Sequence, residues 1–209
     1  RSPFDPKKRA VLIGTDVSSR YTRRGQEEYM RIAAYIKQTV MQKKGNYLAF
    51  FPSYRMLQDV MACTGPQLDT SIRCICQTSG MTEEEREAFL HEFEQKRKED
   101  EGLLGFCVMG GIFGEGIDLK EDSLIGAIIV GTGIPQICRE REILKQYYDG
   151  RNEDGFAYAY RYPGMNKVLQ SAGRVIRTAQ DRGVVLLLDE RFAKRFHLNR
   201  KKSIHFLPA

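Results

Sequence analysis

Six short apolar runs, rich in β-branched and aromatic residues, recur along the chain and predict β-strands. Several of them are unbroken rather than alternating, which is typical of strands that are covered on both faces. The six predicted strands are Ala10–Gly14, Tyr47–Phe51, Ile72–Gln77, Leu104–Met109, Ala127–Val130 and Val184–Leu188.

Amphipathic helical patterns lie between these runs. One helix is indicated by an apolar stripe at spacings of three and four, formed by Tyr29, Ala33, Ile36 and Val40. Another begins at a capping box of Thr82 and Glu85, and a third covers about 54–62. The β–α alternation predicts one α/β domain over residues 1–209, with a mostly parallel sheet flanked by helices.

The segment at about 136–163 departs from this alternation. A helix-like stretch, Arg139–Tyr148, is followed by a turn rich in Gly, Asn and Asp and then by the sequence FAYAYRYP. We interpret this segment as an insertion or an elaborated crossover within the same domain.

Composition adds limits to this picture. No stretch approaches the ~20 consecutive apolar residues of a membrane span, and the N-terminus lacks the apolar core of a signal peptide. We therefore expect a cytoplasmic protein without membrane contact, or a nuclear one in a eukaryote. The five cysteines form no CxxC pair and the three histidines are scattered, so reduced thiols and no metal site are expected.

The net charge of +6 is compatible with a polyanionic partner. Two local features favour nucleic acid: Arg20, Arg23 and Arg24 surround Tyr21, and a basic run covers residues 197–202. A solvated, charged surface explains the second feature equally well.

The most informative segment runs from Gln170 to Arg177. Treated as a helix at about 100° per residue, it places four residues within one arc, namely Gln170, Gly173, Arg174 and Arg177. The opposite, core-facing side is predicted to hold Met165, Val168, Leu169, Ala172 and Ile176. Two guanidinium groups one turn apart suit phosphate oxygens, although a helix whose arginines are merely solvated is the alternative.

A glycine-rich stretch, MGGIFGEGIDL, directly follows the strand 104–109. Its glycines, Gly110, Gly111, Gly114 and Gly116, allow backbone N–H groups to approach a ligand. Glu115 and Asp118 add acceptors that suit hydroxyls or an arginine. The alternative is a flexible strand-to-helix turn.

Two other patterns do not predict a nucleotide site. Gly131-Thr-Gly133 lacks the third glycine of a dinucleotide fingerprint. Asp189 and Glu190 follow an apolar run as Walker B acids do, but the chain contains no Gly-Lys pair and hence no Walker A loop. Asp189 is therefore interpreted as the N-cap of a following helix.

In this order, the segments resemble the C-terminal lobe of XPD/DinG-family helicases of superfamily 2. QSAGRVIRTAQDRGVVLLLDERF resembles motif VI and the strand after it, GGIFGEGIDL motif V, YLAFFPSYRML motif IV, and SPFD the entry to the lobe. The likeness covers essentially the whole chain and implies a RecA-like lobe, a P-loop NTPase-like fold without its own Walker A.

The resemblance also implies roles for residues. Arg174 and Arg177 would be arginine fingers, and the nucleotide would be lined by Gly114, Glu115, Gly116, Asp118, Gln170 and Gly173. Single-stranded DNA would meet Ser53, Tyr54 and Arg55, with Arg20 and Arg23 as further contacts.

ATP and Mg²⁺ would be held mainly by a first lobe of the same polypeptide, and any Fe–S cluster would belong to that lobe. The expected activity is 5′–3′ translocation on single-stranded DNA in repair or replication, absent without the first lobe. The alternative functions are a stand-alone nucleic-acid-binding module without catalysis and a small-molecule transferase, for which no catalytic constellation is found.

Overall fold

All strands of the sheet run in the same direction. The computed structural model describes residues 9–113, 124–175 and 182–193, with only the backbone of Arg9. The six strands are β1 Arg9–Gly14, β2 Asn46–Phe51, β3 Ile72–Cys76, β4 Gly102–Val108, β5 Gly126–Val130 and β6 Gly183–Leu188. They pair in the order β1-β6-β5-β2-β4-β3, and every pairing is parallel. The predicted strands and the mostly parallel sheet are confirmed.

Helices cover both faces of this sheet. They are α1 Gln26–Gln42, α2 Tyr54–Thr64, α3 Glu83–Glu94, α4 Arg139–Asp149, α5 Tyr162–Ala172 and the short α6 Glu190–Ala193. Short 3₁₀ turns lie at Tyr21–Arg23 and Gly65–Gln67. The predicted helices at 54–62 and 139–148 are confirmed, as is the capping box of Thr82 and Glu85 at the start of α3.

Alternate residues of each strand enter two separate apolar layers. In β2, Leu48 and Phe50 belong to the layer under α3 and α5, whereas Tyr47, Ala49 and Phe51 belong to the layer under α1 and α2. Cys74 and Cys76 of β3 both pack against the second layer, on one face as the strand period predicts. Burial of both faces explains why the four central strands are continuous apolar runs, whereas the outer strands β1 and β3 keep exposed residues such as Val11 and Arg73.

The segment between β5 and α5 packs largely on itself. A π-helical stretch, Ala157–Arg161, precedes α5 and lies beside α4. Arg141 of α4 donates to the carbonyl oxygen of Ala159 at 2.7 Å, and the rings of Tyr148 and Tyr158 stack at 4.0 Å between centroids. The interpretation of 136–163 as an insertion stays a prediction. Within the three described ranges, no helix has the length and apolar character needed to cross a membrane.

Gly105 of β4 provides a test of how tightly α3 packs on the sheet. A Cβ at this position would lie 2.7 Å from the Phe93 ring and 2.9 Å from Leu48. We expect Gly105→Ala to lower the free energy of unfolding by about 2 kcal/mol, because the added methyl overpacks a dense layer. Denaturant titration followed by circular dichroism measures the change.

The matched control is Gly65→Ala, since an added Cβ there meets nothing within 4 Å and the backbone is right-handed helical. A loss of stability at Gly65 equal to that at Gly105 would contradict the packing argument.

Candidate nucleotide and nucleic-acid interface

The parallel sheet gathers the segments that follow its strands along one edge. Four of these segments carry polar residues: 15–24 after β1, 52–55 after β2, Gln77 after β3 and 189–191 after β6. The segment 109–113 after β4 begins the glycine-rich turn. In open parallel sheets, ligands bind outside the carboxyl ends of the strands. We therefore take this carboxyl edge as the candidate site.

The predicted nucleic-acid residues of motif IV lie at the centre of the edge, where β2 leads into α2. Ser53 is the N-cap of α2 and accepts a hydrogen bond from the Met56 N–H at 3.3 Å. The hydroxyl of Tyr54 accepts from the side-chain amide of Gln77 at 2.9 Å. Arg55 is exposed on the first turn of the helix. This region thus presents the N-terminus of α2, a tyrosine hydroxyl fixed by a hydrogen bond and an exposed guanidinium group.

Gln77, which sequence reasoning left unassigned, connects this region to the glycine-rich turn. It is only 2% exposed, and its Oε1 accepts from the Val108 N–H at 2.9 Å while its Nε2 donates to Tyr54. The one signal in the sequence was a polar residue ending an apolar run. A buried amide with both ends bonded fixes its partners, so Gln77 positions Tyr54 relative to the end of β4.

The glycine-rich turn is described only as far as Phe113. Gly110 adopts a φ of 67°, a left-handed conformation that favours glycine. Phe113 is fully buried, and its ring stacks on Phe89 at 4.3 Å between centroids. The predicted nucleotide residues Gly114, Glu115, Gly116 and Asp118 lie outside the described residues, so their roles stay predictions.

The segment that resembles motif VI departs from the predicted geometry. Helix α5 ends at Ala172, Gly173 is its C-cap, and Arg174 lies partly buried in the following turn. A continuous helical ridge through residue 174 was therefore the wrong prediction, because the chain leaves the helix at the glycine. Arg177, like Ile176, lies outside the described residues.

The core-facing side of α5 is only partly as predicted. Val168 is buried and Met165 and Ala172 are partly buried against the core, but Leu169 is 61% exposed. The assignment of Leu169 to the core was wrong. Gln170 and Gly173 are exposed, as the predicted arc requires.

The predicted contacts Arg20 and Arg23 are engaged in ion pairs at the β1–β6 end of the edge. Glu190 pairs with Arg20 at 3.1 Å and with Arg23 at 3.4 Å. Arg23 also binds Glu28 at 3.0 Å, and Glu28 is almost fully buried. Between them, Tyr21 is 84% exposed. These arginines retain exposed surface, but part of their charge is neutralised within the protein.

Asp189 fixes the loop that carries these arginines. Its fully buried carboxylate accepts from the N–H and hydroxyl of Ser19, both at 2.9 Å, and from the Arg191 N–H at 3.0 Å and guanidinium at 2.7 Å. The bond from the Arg191 N–H confirms the predicted N-cap. Burial acts to raise the pKa of Asp189, but the hydrogen bonds from Arg191 and Ser19 outweigh it and hold the pKa below its usual value.

The titratable and sulfur-containing side chains of the described residues are scattered. Across the described ranges, no three side chains of His, Cys, Asp or Glu converge as a metal site would require. Cys63 and Cys107 are buried, Cys138 is exposed, and all five thiols are free. Burial raises the pKa of the Cys74 and Cys76 thiols.

A six-stranded parallel sheet with helices on both faces is the architecture of a RecA-like lobe. Residues 36–203 match the family model of the helicase C-terminal domain, and the chain belongs to that family. The similarity to XPD helicases confirms the family resemblance drawn from the motifs.

The relatives are considerably longer than this chain. An ATP-dependent DNA helicase XPD of Sulfolobus acidocaldarius is 27% identical over 203 residues, which cover 92% of this chain and 33% of that protein. A regulator of telomere elongation helicase 1 homolog of Drosophila yakuba is 30% identical over 155 residues, covering 69% of this chain and 16% of that protein. A solved XPD helicase superposes with a TM-score of 0.71 at 26% identity, covering 88% of this chain and 32% of that one.

The buried Gln77 amide is predicted to stabilise the fold as well as to position Tyr54. Gln77→Leu should lower the free energy of unfolding by about 2 kcal/mol, because the Val108 N–H loses its acceptor in a buried setting. Tyr54→Phe, which removes one hydroxyl, should cost about 1 kcal/mol. A double-mutant cycle in chemical denaturation measures the coupling, and strictly additive effects would contradict the shared hydrogen bond.

Asp189 is predicted to make stability depend on pH. Because its folded-state pKa lies below the usual 3.8, its ionised form stabilises the fold above that pH, and this contribution is lost as the pH falls through the lower folded-state pKa. Asp189→Asn should cost about 3 kcal/mol at neutral pH, since it removes one partner of a buried ion pair. The cost should shrink in acid.

Unfolding free energies of both proteins between neutral and acidic pH measure this effect. Glu87→Gln is the control, because Glu87 is an exposed residue of α3. A cost for Asp189→Asn that is constant across the pH range would refute the assignment.

Proposed function

We propose that this chain is the second motor lobe of an ATP-dependent DNA helicase that moves 5′–3′ along single-stranded DNA. The single observation that carries the proposal is the hydrogen-bonded connection at the carboxyl edge. Tyr54, at the predicted strand-binding position, is joined through buried Gln77 to Val108, which leads into the predicted nucleotide-binding turn. A motor requires that these two sites respond to each other.

The charge chemistry at the end of α5 supports a role toward a nucleotide. Gln170 lies in the last turn of α5 and Arg174 in the turn that follows the helix. The amide and the guanidinium group both suit phosphate oxygens. Without a Gly-Lys loop, however, the chain lacks the cradle that P-loop proteins use. These residues therefore fit a lobe that supplies charges to ATP and Mg²⁺ held mainly by a partner lobe.

In this proposal, closure of the two lobes brings Arg174 and Arg177 to the γ-phosphate. Their guanidinium groups would stabilise the charge that develops there during phosphoryl transfer. Opening of the lobes after hydrolysis would let Ser53, Tyr54 and Arg55 shift along the strand. The isolated chain is expected to hydrolyse no ATP, and any Fe–S cluster would belong to the partner lobe.

The arginines provide the test. In the complete helicase that carries this lobe, Arg174→Ala and Arg177→Ala are each expected to lower DNA-stimulated ATP turnover by about 10³-fold, as removal of an arginine finger does. Steady-state phosphate release measures the turnover, and DNA affinity without nucleotide should stay nearly constant.

Arg139→Ala is the matched control, because Arg139 is an exposed residue of α4. Turnover that survives both arginine substitutions would refute the arginine-finger role. DNA binding without any nucleotide-dependent step would favour the non-catalytic binding module.

A further inference from the structure

Lys167 lies across the glycine-rich turn at the carboxyl edge. Its Cε and Cδ approach the position that a Cβ would occupy on Gly110 to 2.9 and 3.0 Å, and its Nζ approaches to 3.2 Å. At the other end of the side chain, the Lys167 Cβ lies 3.4 Å from the corresponding position on Gly133. The side chain therefore runs from the loop after β5 to the turn after β4.

The backbone around Lys167 is shaped to admit this side chain. Gly110 and Gly133 both adopt left-handed conformations, with φ of 67° and 64°. Helix α5 comes close to the β5 loop at Gly164, where a Cβ would lie 2.7 Å from the carbonyl oxygen of Thr132. Backbone contacts thus fix the base of the side chain, and a larger residue at 110 would displace its end.

Among the described residues, no acidic side chain forms an ion pair with the Lys167 ammonium. It also forms no hydrogen bond with the described part of the chain. Lys145 on α4, in contrast, pairs with Asp149 at 2.8 Å. In the adjacent loop, the Thr132 hydroxyl is buried and also lacks a hydrogen-bond partner. A positioned cation without a counter-ion is suited to an external anion.

We propose that Lys167 binds a backbone phosphate of the nucleic-acid strand that Tyr54 and Arg55 contact. This inference rests on the proposed function. The strand is favoured over the nucleotide because Lys167 meets Gly110 at the start of the turn. The next residue, Gly111, adjoins Gln77, with 3.2 Å between its Cβ position and Nε2, and Gln77 holds Tyr54. The predicted nucleotide residues come later, at 114–118.

The experiment measures binding of oligo(dT) by the complete helicase at several KCl concentrations, using fluorescence anisotropy. Lys167→Met keeps the aliphatic stem over the glycines and removes the charge. It should weaken binding roughly fivefold at low salt and reduce the slope of log affinity against log salt by about 0.7, the value for one phosphate contact on a single strand. Lys167→Arg should restore the slope, and Lys145→Met should leave it unchanged.

Each other outcome overturns the inference. An unchanged slope in a Lys167→Met protein with a normal melting curve would show that the ammonium meets no strand phosphate. Weaker binding of a non-hydrolysable ATP analogue, with unaltered DNA binding, would assign Lys167 to the nucleotide instead. If the unmodified helicase binds no DNA, the proposed function fails together with this inference. If it binds DNA normally and Lys167→Met leaves the salt slope unchanged, only the role of Lys167 is refuted.

Discussion

An all-parallel sheet covered on both faces is the constraint from which the rest of the structure follows. Parallel strands need crossovers, and here helices α1 and α2 cover one face and α3 and α5 the other. Every strand then ends at the same edge. Residues that are far apart in the sequence, such as Ser19 and Asp189, or Tyr54 and Gln77, meet there for this reason alone. The candidate site is thus a consequence of topology before it is a consequence of any one motif.

The edge accommodates polar groups by satisfying them within the protein. Asp189 and Gln77 are both buried, and each forms hydrogen bonds with other segments of the edge. Asp189 accepts from Ser19, and Gln77 accepts from Val108 and donates to Tyr54. Such groups are costly unless fully bonded, and once bonded they hold the loops in one arrangement. Lys167 differs from them, because its stem is fixed while its charge is not compensated by the described residues. The contrast separates residues that build the edge from a residue that is available to a ligand.

The sequence predicted the elements well because the four central strands, β2, β4, β5 and β6, are buried on both faces and therefore form continuous apolar runs. All six strands agree with the structure to within two residues at each end. The end of α5 was less predictable. The helical period continues through Gly173 in the sequence, but α5 ends at Ala172, and the N–H groups of Arg174 and Val175 bond to carbonyl oxygens three residues back, as in a turn. Leu169 was misplaced for a related reason, since periodicity does not show which apolar positions a neighbouring element covers.

Gln77 and Lys167 illustrate the part of the site that sequence patterns cannot reveal. The partners of Gln77 are Tyr54 and Val108, which lie 23 and 31 residues away. The position of the Lys167 side chain depends on Gly110 and Gly133, which lie in two other loops. The sequence of α5 itself does not distinguish Lys167 from any other lysine.

Helix α5 connects the two residues that are proposed to contact ligands, Lys167 and Arg174. Lys167 lies on this helix beside the turn that adjoins Tyr54, and the same helix ends at the glycine that leads into Arg174. The close approach of Gly164 to the loop after β5 holds the helix against the sheet by backbone contact. A displacement of α5 as a rigid body would therefore move the proposed strand contact and the proposed arginine finger, Arg174, together. One rigid element shared by two sites is a direct physical route for coupling them, and it requires no chain of side-chain rearrangements between them.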